Sequence, residues 1–153
     1  MSLLKRSRLY SKNQTGRAMH QMIDKYYGDM YTTSGLTPAL STLTIDQAFD
    51  QIRKIPYRQD TTPIEVVARP AISLRHKDIG IDCKKKSILM ASYLKSRGIP
   101  YRLIASSNKP SCRIHHVFPQ MRFGNTWLNL DATYPKYRPF QEKVLTHAEV
   151  LNP

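Results

Sequence analysis

Acidic residues are scarce in this 153-residue chain: 11 Asp and Glu stand against 24 Lys and Arg, a formal charge of +13 with histidine neutral. That excess excludes an acidic surface and points to polyanionic neighbours such as nucleic acid, anionic lipid or bacterial wall polymer. Cysteine is scarce too. With only 2 cysteines, Cys83 and Cys112, no disulfide framework is implied, a reducing compartment is the default, and each thiol is read separately for reactivity. No apolar run approaches the ~18 to 20 residues of a membrane-spanning helix. The basic start, Met1-Ser-Leu-Leu-Lys-Arg-Ser-Arg8, lacks the apolar stretch and cleavage site of a secretory signal. A cytoplasmic location is expected, with association with a virion or other particle left open. Repeats, low-complexity tracts and long linkers are missing as well, so a single domain over residues 1–153 is expected. A hydrophobic content of 41% is enough to build one core.

Residues 1–20 carry Lys5, Arg6, Arg8, Lys12 and Arg17 with no acid, which reads as a basic arm leading into a helix from about Thr15 to Tyr27. Tyr31 to Leu43, rich in Thr, Ser, Gly and Pro, reads as loop. Thr44-Ile-Asp-Gln47 has the form of a capping box, and Ile45, Phe49 and Ile52 share one helical face, predicting a helix from Ile45 to about Lys54 that Pro56 stops. Ile64 to Ala68 is β-prone, and Pro70 and Gly80 mark an irregular approach to the next helix. That helix runs from Cys83 to about Arg97 on a stripe of Ile88, Leu89, Ala91, Ser92 and Leu94, with Gly98 and Pro100 as the stop. Lys84, Lys85 and Lys86 read as its solvated first turn. Tyr101 to Ala105 predicts a strand. Ser106 to Arg113 is a polar loop, and His115 to Phe123, the Gly124-Asn125 turn and Thr126 to Leu130 predict an antiparallel hairpin ending at Asp131. The expected class is α+β, with the helix that bears Cys83 packed on an antiparallel sheet.

Three residues stand where thiol chemistry needs them. Cys83 opens a helix, where unpaired backbone N–H groups and the helix dipole favour a thiolate. An imidazole can take the thiol proton and return it to a leaving amine, and a carboxylate on its other nitrogen fixes the tautomer and stabilises the cation. His116 and Asp131 are the candidates. Counted from the Gly124-Asn125 turn, His116 falls level with Asp131 to Thr133. Strand alternation turns His115 away from the side that His116 faces. Between Cys83 and Asp131 lie nine basic residues and no acid, so Asp131 is the one carboxylate in reach along that half of the hairpin.

The run Gly80-Ile-Asp-Cys83, the exit Ser96-Arg-Gly-Ile-Pro-Tyr-Arg102, the strand His116-Val-Phe118 and the segment Trp127-Leu-Asn-Leu-Asp-Ala-Thr133 together resemble the transglutaminase-like superfamily. Ile55-Pro-Tyr57 with Asp60 is similar to a weaker upstream motif, and the resemblance covers residues 44–135. It implies a papain-like core, with Cys83 matching the nucleophile, His116 the general base and Asp131 the residue that orients the imidazole. Three departures stand out: Ile81 inside the Gly-Asp-Cys run, Phe118 where the family often has Trp, and Pro119, which costs a ladder hydrogen bond unless its strand is an edge or bulged. The oxyanion donor is left open between Tyr57, His76 and the safer backbone N–H of Cys83.

The resemblance implies a cysteine-dependent peptidase or amidase working through an acyl-enzyme, or transglutaminase-type acyl transfer. Its partners would be peptide or protein amides, anionic or wall-derived ones among them, with polyanion contact through the basic surface. The rival is a non-catalytic basic structural or nucleic-acid-binding module that keeps the fold. No cofactor is expected. A zinc site built from Cys83, Cys112, His115 and His116 lacks any Cys-x-x-Cys or His-x-x-x-His spacing to support it. Cys112 and His115 read as incidental.

Overall fold

The computed structural model describes residues 4–7, 12–32, 38–59 and 65–153; Asp60 lies outside them. Helix α1 (Lys12–Tyr26) is preceded by strand β1 (Leu4–Ser7), and a 3-10 turn, Tyr27–Tyr31, follows it. Helix α2 (Ile45–Arg53) starts at the expected capping box: Gln47 N–H donates to Thr44 Oγ1 at 3.2 Å and Thr44 N–H donates to Gln47 Oε1 at 3.0 Å. Its Ala48, Phe49 and Ile52 are buried. The stretch 31–43, expected to be loop throughout, tightens into a second 3-10 turn at Leu40–Thr42.

Strand β2 (Glu65–Ala68) pairs antiparallel with β1. The irregular approach expected around Pro70 is in fact a short helix, α3 (Pro70–Arg75), with Pro70 in its first turn, where a missing N–H costs nothing. Ala71 N–H at its start donates to Asp29 Oδ2 at 3.0 Å. Asp29 also takes a two-pronged ion pair from Arg69, which fastens α3 to the turn after α1.

Helix α4 (Cys83–Ser96) is the axis of the molecule. Ile88, Leu89, Met90, Ala91, Tyr93 and Leu94 are all completely buried, so apolar surface surrounds the helix rather than striping it. Helices α1, α2 and α3 pack on it, and so does the sheet. One core contains Leu89, Met90, Tyr93 and Leu94 with α2; the other contains Cys83, Ile88 and Ala91 with α1 and the sheet. Burying a large aliphatic or aromatic side chain contributes roughly 1.5–3 kcal/mol, so α4 is the rigid element of the fold.

The sheet holds strands β3 (Tyr101–Ser107), β4 (His116–Phe123), β5 (Thr126–Asn129) and β6 (His147–Leu151), in the order β5-β4-β3-β6 and antiparallel throughout. The expected turn joins β4 and β5, with Phe123 opposite Thr126 and Gly124 at φ +61°. Pro119 therefore sits in an interior strand. Its carbonyl accepts Leu130 N–H at 2.9 Å on the β5 side. In an antiparallel ladder N–H and C=O of one residue point the same way, so the missing donor faces the point where β5 ends and the β3–β4 ladder loses nothing.

Candidate active site

The position of Cys83 is built by the segment just before α4. Ile81 N–H donates to Pro56 O and Arg58 N–H to Ile81 O, both at 3.0 Å, a parallel bridge that lays Tyr57 alongside the residues leading into Cys83. Gly80 makes this approach feasible: its φ is +114°, and a Cβ there would lie 2.8 Å from Pro56 O. Ile81, the extra residue in the Gly-Asp-Cys run, is buried and makes the bridge. Asp82 then caps the helix, accepting Lys85 N–H at 3.0 Å and pairing with Lys84 Nζ at 2.8 Å. Cys83 follows as the first helical residue, buried under this wall.

His116 is the first residue of β4, and Asp131 lies two residues past β5. They meet as the hairpin register anticipates: His116 Nε2 is 2.6 Å from Asp131 Oδ2. Asp131 is buried and fully engaged. Its Oδ1 accepts the Thr133 hydroxyl at 2.5 Å and Thr133 N–H at 3.1 Å, and Lys143 Nζ reaches Oδ2 at 2.7 Å. Phe118 stacks against the His116 ring with 6.0 Å between centroids, and Cys83 lies near enough to favour a proton on it. With Nε2 committed to Asp131, Nδ1 is the ring nitrogen left for the thiol. His116 and Asp131 are thus bonded to each other, with Cys83 near the ring.

The electrostatics follow from this packing. Burial alone would push the His116 imidazolium down. The hydrogen bond to Asp131 and the charges of Asp131 and Cys83 outweigh it and hold the imidazolium at about 9. Burial would likewise raise Asp131, yet the hydrogen bond and charge of His116, with Lys143 beside them, hold the carboxyl down at about 2. Tyr57 is shifted well above the usual phenol range, by burial first and then by Cys83, Tyr134 and Asp82. Its hydroxyl therefore stays a donor beside the thiol. The other side-chain oxyanion candidate, His76, stands exposed at the end of α3, its backbone bonded to its own helix.

Two lysines belong to this site, one that the sequence pattern did not single out and one that it read as solvated. Lys143 lies between the rings of Phe118 and Tyr137, at 5.0 and 4.3 Å from their centroids, while it pairs with Asp131. Lys86, expected in a solvated first turn, is 1% exposed. Its ammonium donates to Thr133 O at 2.8 Å, to Arg53 O at 3.2 Å and to Ile55 O. One cation thereby ties the end of α2, the approach to Tyr57 and the segment carrying Asp131 to the helix of Cys83. Burial lowers its pKa to about 8 against the charge of Asp131.

Cys112 is exposed in the loop before β4, and His115 Nε2 lies 2.9 Å from Asn108 Oδ1, away from Asp131. Among the described residues no group of three or more His, Cys, Asp or Glu is arranged to hold a metal. No described helix is long and apolar enough to cross a membrane.

The family model for the "Transglutaminase-like superfamily" matches residues 29–132, a span that includes Cys83, His116 and Asp131. The chain belongs to the transglutaminase-like superfamily. Members of the superfamily are typically cysteine enzymes that act on amides. No curated protein matches the chain. Among solved structures it is similar to a "putative cysteine protease" from Cytophaga hutchinsonii, with 14% identity and a TM-score of 0.46 over 94% of this chain and 44% of that one. The chain thus spans less than half the length of that protein.

Proposed function

We propose that this transglutaminase-like chain is a peptidase or amidase that cleaves its substrate through a thioester on Cys83. The observation that supports this most strongly is the imidazole of His116, bonded to Asp131 and with Cys83 close enough to favour its charged form. His116 Nδ1 takes the thiol proton, and Asp131 stabilises the resulting imidazolium. The sulfur attacks the carbonyl carbon, and the oxyanion is met by the N–H of Cys83, unpaired at the helix start, and by the Tyr57 hydroxyl. The imidazolium gives its proton to the leaving amine. Neutral His116 then deprotonates a water that attacks the thioester, releasing the acid and restoring the thiol.

The test is incubation of a peptide library with the wild-type protein and with Cys83→Ala, reading new amino termini by mass spectrometry. New termini that depend on Cys83 are expected. Equal, background-level termini with both proteins would sink the proposal.

A further inference from the structure

Beside His116 lies a recess of about 150 Å³. Its wall includes Tyr57, Ser106, His115, Tyr134, Tyr137 and Lys143. The volume suits one short side chain, since a water molecule occupies about 30 Å³ in the liquid. No carboxylate is among the lining residues. One lysine, Lys143, forms part of the wall; Lys136 sits over the rings of two wall residues, Tyr134 and Tyr137, at 5.9 and 5.8 Å, and Lys109 is close enough to disfavour a proton on His115. Asp131 behind the wall is already neutralised by Lys143 and His116.

The recess also holds unspent hydrogen-bonding capacity. Ser106 is 1% exposed, opposite His116 in the β3–β4 ladder, and its hydroxyl has no partner. A buried hydroxyl without a partner costs about 1–3 kcal/mol, so it marks a place where a polar group is expected to arrive. Burial keeps the Tyr137 hydroxyl protonated as a donor. Cations and donors without a competing carboxylate are the complement of an anion, not of an ammonium or an alkyl chain.

We infer that this recess is a specificity subsite that receives a carboxylate side chain, so that the preferred substrates are amides of acidic residues, aspartyl or glutamyl, beside the bond attacked by Cys83. This rests on Cys83 being the nucleophile. The +13 charge of the chain would draw such acidic peptides toward the site.

The experiment uses acetylated dipeptide chloromethyl ketones ending in Asp, Asn, Glu, Gln or Lys, with the labelled residue identified by mass spectrometry. In each, Sγ displaces chloride and forms a C–S bond. Asp over Asn, or Glu over Gln, is expected to label Cys83 about fivefold faster or more at low salt, the scale of one partly exposed charge pair, and the ratio should shrink at high salt. Lys109→Gln and Lys136→Gln should each lower that ratio. If Cys83 is labelled by all five reagents with no preference for acid over amide, the subsite is wrong and the nucleophile stands. If none labels Cys83 faster than Cys112 in unfolded protein, both readings fall.

Discussion

Replacing Asp131 by Asn isolates the electrostatic design of the site. In the native protein the imidazolium of His116 is held at about 9 against an ordinary 6.5. A shift of that size corresponds to roughly 3 kcal/mol of preference for the charged ring. Burial works against it, so the gain comes from Asp131 and Cys83. Asn keeps the shape but removes the charge, and it leaves Lys143, whose ammonium shares Oδ2 with the imidazole, as an unbalanced positive neighbour. Burial and Lys143 then oppose the contribution of Cys83 alone, and the imidazolium should titrate well below 8.

The assay is a pH titration of the His116 ring by NMR in both proteins. Linkage supplies a second readout. A group whose folded pKa is raised contributes stability that is complete below its unfolded value, about 6.5, and lost as pH rises through about 9. The native protein should therefore lose stability relative to Asp131→Asn as pH climbs from 6.5 to 9. A His116 that still titrates above 8 in Asp131→Asn would refute the reasoning.

Three further substitutions follow from the same structure. Lys86→Met keeps the chain length but leaves three carbonyls, two of them in buried bonds, without this donor; a loss of about 3 kcal/mol or more is expected in urea unfolding, and an unchanged midpoint would contradict a tie through this ammonium. Gly80→Ala puts a Cβ into Pro56 O at a positive φ, so a loss of about 2 kcal/mol is expected by thermal denaturation, together with weaker burial of Tyr57 fluorescence. Lys143→Met removes a cation that opposes the imidazolium, so the His116 titration should move upward, whereas a downward move would mean that Lys143 acts chiefly by holding Asp131 in place.

What the chain order reveals depends on whether the physics is local. The α2 capping box, the α4 helix and the two-residue turn between β4 and β5 are each set by neighbours within a few positions, and each was legible. The approach of His116 to Asp131 was legible because a hairpin register is a local count. Strand β6 was not, since His147 to Leu151 alternates weakly and owes its conformation to pairing with β3, some 40 residues away. Helix α3 hid behind Pro70, which stops a helix in its interior but is favoured at its start. Lys143 and Lys86 were missed because their roles come from distant carbonyls, rings and a carboxylate, and a lysine in sequence is ordinarily a solvated one.

The central claim is that His116 activates Cys83. The direct measurement is the rate of iodoacetamide alkylation at Cys83 and at Cys112, followed by mass spectrometry from pH 5 to 9 in the native protein and in His116→Ala. At pH 6 an ordinary thiol is almost wholly protonated and reacts slowly. The account predicts that native Cys83 reacts at pH 6 about tenfold or more faster than Cys112 in unfolded protein, and that His116→Ala abolishes the advantage. Identical profiles for Cys83 with and without the imidazole would contradict it.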